Sequence, residues 1–164
     1  MTYYIVDSAV FIMRHSNLNS SRMITVPSVV DELKSRDSML CYYLAKERGL
    51  RVECPEPEMV KDIKIKAEYT RDSEELSKTD LEILAKALEY KDKGILITDD
   101  YAIQNVALQL GIQVKPVAQE KIKDIIIWQK KCTGCKKTFD KGDDCPICGS
   151  SLKKKRKRTL REKS

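Results

Sequence analysis

A chain of 164 residues with 41% hydrophobic and 34% charged side chains can hold one domain with a real core plus a small appendage, and it is too short for two full-size domains. No window offers about 18 consecutive apolar residues, and the N-terminus lacks a basic stretch followed by an apolar one, so membrane and secreted classes are set aside and a cytoplasmic protein is expected. The net charge of +6 is uneven: residues 153–164 carry eight Lys/Arg and one Glu, residues 129–152 are mildly basic, and residues 1–128 hold eighteen basic against twenty-one acidic groups.

Thr2 to Val6 is β-branched and aromatic and reads as a first strand that ends at Asp7, followed by Ser8. A short helix over Ala9–Arg14 and a polar loop follow. Ile24–Val26 reads as a brief strand, after which Pro27 opens a helix with Val29, Val30 and Leu33 at helical spacing. Glu32 lies inside that helix, beside its apolar stripe. Asp37–Leu50 is a second amphipathic helix, Arg51–Cys54 a strand stopped by prolines, and Glu58–Tyr69 a charged helix.

The strongest helical period runs through Leu81, Ile83, Leu84, Ala87 and Leu88. Asp80 precedes Ile83, Leu84 and Ala87 by three, four and seven residues, which sets it on the face the helix buries. Ile95–Thr98 is an apolar strand that ends abruptly in Asp99 and Asp100. A helix over Tyr101–Leu110 and a strand over Ile112–Lys115 complete residues 1–120. Short strands alternating with helices predict an α/β domain with a parallel sheet flanked by helices. With no GxGxxG and no GxxxxGK[ST], a nucleotide cofactor is not expected.

Residues 121–131 read as a linker, although Ile125–Trp128 is apolar enough to pack. Cys132-x2-Cys135, nine residues, and Cys145-x2-Cys148 then give the sharpest local signal. Two such turns each present a pair of thiolates and together make a tetrahedral site without an open position, so residues 132–152 are expected to form a ribbon around structural Zn²⁺. A redox pair and an iron–sulfur centre are the alternatives. Cys41 and Cys54 stand alone and are expected to be buried thiols. Residues 153–164 form a basic run that is expected to be disordered and suits a polyanion such as RNA.

Asp7, Glu32, Asp80 and Asp99 or Asp100 stand where burial does not require an acid. Each has a plain alternative. Asp80 closes a capping box with Ser77, Glu32 pairs with Arg36, and the strand-end acids cap the following helices. Taken jointly, two acids end strands and two lie on helices, so all can meet over the carboxyl edge of the sheet. Clustered carboxylates repel one another unless a cation neutralises them. Oxygen donors without histidine or thiolate suit Mg²⁺ or Mn²⁺, which activate water and stabilise charge developing on a phosphodiester. The lone His15 speaks against a histidine acid–base pair. Ser8 and Thr98 adjoin the acids and could orient a ligand or water.

The segments YIVDS, PSVVDELKS, SKTDLEILAKAL and ILITDDYAIQNVALQLGI resemble the PIN-domain ribonucleases. Followed directly by a four-cysteine ribbon, the chain is similar to the archaeal form of the NIN-one-binding protein family, endonucleases that trim the 3′ end of small-subunit rRNA. The resemblance implies a Mg/Mn-dependent endoribonuclease acting on precursor small-subunit rRNA within the pre-ribosomal small subunit. By motif, Asp7, Glu32 and Asp80 match the family acids and Asp100 takes the third place of T-x-D, while Asp99 fills the variable middle place and could also face the metal. The ribbon and basic end would grip RNA. Competing readings are a catalytically silent assembly factor and a toxin-type PIN ribonuclease acting on tRNA or mRNA.

Overall fold

The computed structural model describes residues 1–15, 17–70, 74–118 and 124–161. Five strands, β1 (Tyr3–Val6), β2 (Met23–Thr25), β3 (Arg51–Val52), β4 (Gly94–Ile97) and β5 (Val114–Lys115), pair in the order β3-β2-β1-β4-β5, and every pairing is parallel. Parallel strands need crossover connections, and helices supply them. These are α1 (Ser8–Ile12), α2 (Pro27–Glu32), α3 (Arg36–Glu47), α4 (Pro57–Thr70), α5 (Lys78–Glu89) and α6 (Tyr101–Gln109).

The core lies on the two central strands because these are the most apolar. Ile5, Val6, Leu96 and Ile97 are at most 1% exposed, and Ile83 and Ile103 pack into the same cluster from α5 and α6. From β1 the chain builds outward through β2 to β3, then returns to set β4 on the other side of β1 with β5 beyond it, so β1 and β4 flank the point where the strand order reverses. Ligands of open α/β sheets bind beyond the carboxyl ends of the strands at that point. Val6 pairs with Ile97, so the next residues, Asp7 and Thr98, emerge side by side. Gly94 permits the entry into β4, since a side chain there would meet Ile5 and the Tyr90 carbonyl at under 3 Å.

Beyond this domain, β6 (Asp124–Cys132), β7 (Thr138–Phe139) and β8 (Leu152–Arg161) form an antiparallel sheet in the order β7-β6-β8. Two expectations change here. From residue 124 the presumed linker is already the central strand of the ribbon, and Ile127 is buried. Residues 153–161 of the presumed disordered tail are a strand paired along β6, and residues 162–164 lie outside the described residues. A run of lysines has little strand preference of its own; Lys153–Lys155 lie opposite Lys131–Gln129, between the Cys132–Leu152 pair at one end and Ile125–Trp128, paired with Leu160–Arg156, at the other. Lys130 and Lys154 face each other across the pair, and their repulsion is offset by Glu74, 3.3 Å from Lys130, and by Glu75, which binds Lys154. Lys154 also lies 4.3 Å over the Trp128 ring.

The ribbon is docked on the first domain through Asn105 of α6. Its Nδ2 donates to the Ile126 carbonyl at 2.7 Å and its Oδ1 accepts from Ile126 N–H at 2.6 Å, so a side-chain amide takes the place of a strand neighbour along the part of β6 that β7 does not reach. Among the described residues no helix is long and apolar enough to cross a membrane. Cys41 is only partly buried and Cys54 is exposed, which corrects the expectation of two buried thiols: Cys54 follows the end of β3, where the chain turns outward at Pro55.

Candidate active site and cysteine cluster

Asp7 leaves β1 with extended backbone and becomes the N-cap of α1, its Oδ1 accepting from Ser8 N–H at 2.6 Å. Its Oδ2 accepts from Thr98 Oγ1 at 2.8 Å. Thr98 is fully buried, and the same hydroxyl oxygen accepts from Asp100 N–H at 3.1 Å. Gln104, also buried, donates to the Thr98 carbonyl at 3.3 Å. One hydroxyl therefore joins the acid at the end of β1 to the backbone of the acid beyond β4.

Asp100 caps α6 through a single oxygen, Oδ1, which accepts from Ala102 and Ile103 N–H at 2.7 and 3.0 Å. Its second oxygen has no such partner among the described residues, and the residue is exposed. Asp99 behaves differently. Its carboxylate accepts from Val117 N–H at 2.8 Å and Ala118 N–H at 3.2 Å, which ties it to the segment after β5. The adjacent acids thus take different partners, and the helix cap is Asp100 rather than Asp99.

Asp80 is the third residue of α5. The capping box is complete, with Asp80 N–H donating to Ser77 Oγ at 3.2 Å and Ser77 N–H donating to Asp80 Oδ2 at 2.7 Å. Glu32 ends α2 and is exposed. α2 has six residues and no side-chain cap, and Ser28 in its first turn donates to Glu82 of α5 at 2.6 Å. That bond holds the helix carrying Glu32 against the helix carrying Asp80. Neither Ser28 nor Glu82 carries a signal in the sequence that would have picked it out, whereas Thr98 was visible as the first place of T-x-D.

The electrostatics show which acids feel one another's charge. Burial raises the Asp7 carboxyl above its ordinary value, the bonds from Thr98 and Ser8 oppose that, and the charges of Asp80 and Asp100 raise it further. Asp80 is also raised, by burial first and then by Asp100 and Glu32, against the lowering effect of Ser77. The charges of Asp80 and Asp100 therefore reach Asp7, and those of Asp100 and Glu32 reach Asp80; among the described residues no Lys or Arg pairs with any of the four, and the four cysteines rather than these acids are the group whose ligand atoms already stand close enough to share an ion. An all-oxygen donor set with uncompensated charge fits a hard divalent cation.

In the ribbon, the sulfurs of Cys132, Cys135, Cys145 and Cys148 all lie within 4.8 Å of one another. Cys132 and Cys145 are buried, and Gly134 N–H donates to Cys132 Sγ at 3.3 Å. Gly134 must lack a side chain because a Cβ would stand 2.5 Å from Ser150 Oγ and 3.2 Å from Cys148 Sγ. Gly149 takes φ +70°, the left-handed turn that closes the second pair. Hydrogen bonds from the Ser150 side chain and backbone pull the Cys148 thiol down, while burial and the neighbouring sulfurs push Cys135 up. The four sulfurs fit a tetrahedral metal site.

A family model described as the PIN domain of ribonuclease matches residues 4–90. An endoribonuclease Nob1 from Archaeoglobus fulgidus is 40% identical over 150 residues, covering 90% of this chain and 87% of that protein. One from Pyrococcus abyssi is 39% identical over 153 residues, 91% of each. A ribonuclease VapC1 from Thermoplasma acidophilum is 35% identical over 164 residues, 97% of this chain and 82% of that protein, so its similarity extends through the ribbon.

Proposed function

Because the chain belongs to the archaeal endoribonuclease Nob1 family of PIN-domain proteins, we propose that it is a divalent-metal-dependent endoribonuclease that matures the 3′ end of small-subunit (16S) rRNA by hydrolysing a phosphodiester of its precursor. The observation that carries this reading is that Asp7 and Asp100 are joined through Thr98 at the strand ends, with the charge of Asp80 reaching both and that of Glu32 reaching Asp80, and with no cationic partner among the described residues. Bound there, Mg²⁺ or Mn²⁺ supplies an activated water and neutralises charge developing on the phosphodiester. Asp7 and Asp100 would hold the ion from the strand ends, and Glu32 of α2 and Asp80 of α5 would complete its oxygen donors. Thr98 fixes the direction of the Asp7 carboxylate, and the Ser28–Glu82 bond holds the two helices together. Asp99 serves this site indirectly, by fastening the segment after β5.

The four-cysteine site takes Zn²⁺ in a structural role, since four protein sulfurs leave no position open for substrate. An acidic site repels RNA, and the basic strand β8 supplies the compensating attraction. The working environment is the pre-ribosomal small subunit in the cytoplasm, where thiols stay reduced.

Incubation of the purified chain with precursor small-subunit rRNA and Mn²⁺ should yield a single new end at the mature 3′ terminus. The same reaction with Asp7→Asn should leave the precursor intact while RNA binding persists. Equal cleavage by wild type and variant would overturn the site assignment. A toxin-type ribonuclease is the second reading, favoured by the similarity to VapC1 along 97% of the chain, because a ribbon then no longer separates the two classes. It predicts cleavage of tRNA or mRNA in preference to precursor rRNA, and arrest of growth on expression. A silent assembly factor predicts RNA binding with no turnover.

A further inference from the structure

α3 (Arg36–Glu47) buries Ser38, Tyr42 and Ala45 on one face. With about 3.6 residues per turn, the opposite face carries Arg36, Leu40, Tyr43, Leu44 and Glu47 in a single stripe. Leu40, Tyr43 and Leu44 are 57%, 55% and 48% exposed. A surface helix normally turns polar side chains outward, and one that is apolar on its outer face as well is built to be covered. The apolar surface continues past the helix. A cavity of about 270 Å³ between α1 and α3 has Leu40, Cys41 and Leu44 in its wall, and Ile12 and Met13 stand exposed at the end of α1.

The ends of the stripe carry opposite charges. Arg36 opens the helix and Glu47 closes it, and among the described residues neither has an ionic partner. Arg36 and Glu47 lie equally far from the helix midpoint, and so do Leu40 and Tyr43. A two-fold axis at that midpoint lays the helix antiparallel on a copy of itself. It brings Arg36 against Glu47 of the second copy and Leu40 against Tyr43 of the second copy, each contact being made twice. A stripe that is self-complementary in charge and in the placement of its apolar residues fits a second copy better than it fits a helix of unrelated sequence.

We propose that the outer face of α3 is an interface between two copies of this chain. The contact is a single helix pair with its flanks, so association depends on concentration. Sedimentation equilibrium of the full chain over a wide concentration range should show the mass rising from 18.8 kDa to twice that value. Leu40→Lys, Arg36→Glu and Glu47→Arg should each remain monomeric at concentrations where the wild type is dimeric. The double variant Arg36→Glu with Glu47→Arg should recover the dimer. Both charge reversals suit the helix dipole, with an acid at the N-terminus and a base at the C-terminus, so loss of the dimer cannot be ascribed to a weakened helix. Helical content by circular dichroism checks this. A wild type that stays at 18.8 kDa throughout overturns the proposal and leaves the stripe to a partner of different sequence. A dimer that survives Leu40→Lys, or a double variant that stays monomeric, overturns it equally.

Discussion

Thr98 Oγ1 stands 2.8 Å from Asp7 Oδ2 and accepts from Asp100 N–H at the same time, so one buried hydroxyl sets the relative position of two acids that arrive from different strands. The link follows from the in-register pairing of β1 with β4, which makes residues 7 and 98 neighbours. Thr98→Val keeps the shape and removes both bonds. Partners that orient metal ligands typically cost 10–100-fold in affinity or activity when lost, on the order of 1–3 kcal/mol. The variant is expected to lose Mn²⁺ affinity by about that factor in calorimetric titration, and Thr98→Ser should recover most of it. Equal Mn²⁺ affinity in Thr98→Val and wild type would show that the hydroxyl has no part in the site.

Asp7 should cost stability when no metal is bound. Its folded carboxyl holds its proton more tightly than the unfolded chain does, so its contribution is best in acid and is lost as pH rises from the ordinary carboxylate range through the raised folded value. Asp80 acts in the same direction. Asp7→Asn, compared with wild type in chelator, should melt a few degrees higher near neutral pH, and the difference should vanish in acid. Added Mn²⁺ reverses the order, because a ligand that binds only the folded state stabilises the wild type and not the variant. Thermal denaturation over a pH series, with and without Mn²⁺, reads both effects. A variant less stable than wild type at neutral pH in chelator would contradict the prediction.

The strands and the acids at their ends were legible because burial writes a short apolar run and function interrupts it. Ile95 to Thr98 followed by two aspartates needs no structure to be noticed. Asp80 shows why the plain and functional readings were not rivals: one carboxylate closes a capping box with Ser77 and still adds its charge to Asp7. The division of labour between Asp99 and Asp100 was not legible, since it depends on where the segment after β5 returns. β8 was misjudged for a related reason. Its lysines show no alternation, and the strand exists through its pairing with β6 and through Glu74 and Glu75, which are far away in sequence.

That division of labour is testable by separate substitutions. Asp100→Asn keeps an oxygen to cap α6 and removes charge from the cluster, so Mn²⁺ affinity should fall by at least about tenfold, a typical effect of a direct ligand or its orienting partner. Asp99→Asn weakens the charged bonds to Val117 and Ala118 N–H and should leave Mn²⁺ affinity within about twofold, because both carboxylate oxygens accept from the segment after β5. Hydrogen exchange at Val117 and Ala118 should quicken in Asp99→Asn and stay unchanged in Asp100→Asn. The reverse pattern of metal affinities would exchange the roles of the two acids.

The ribbon divides its lysines between two faces. Lys130 and Lys154 share one face and are held by Glu74 and Glu75, while Lys131, Lys153 and Lys155 share the other and have no acidic partner among the described residues. Only the second set is free to meet phosphate without first losing a carboxylate. Strand geometry spaces Lys153 and Lys155 by roughly 6.8 Å, a repeat along which an extended single strand can lay successive phosphates. Lys153→Gln and Lys155→Gln should each lower RNA affinity and reduce the slope of log affinity against log salt by about 0.7, the release expected per phosphate of a single strand. Turnover at saturating RNA should hold, since neither residue belongs to the carboxylate cluster. Lys154→Gln removes a cation already neutralised by Glu75, so it should change the salt slope less and the melting temperature more. Equal salt slopes for all three variants would mean that the ribbon meets RNA without regard to face, and that the carboxylates on Lys130 and Lys154 are displaced on binding.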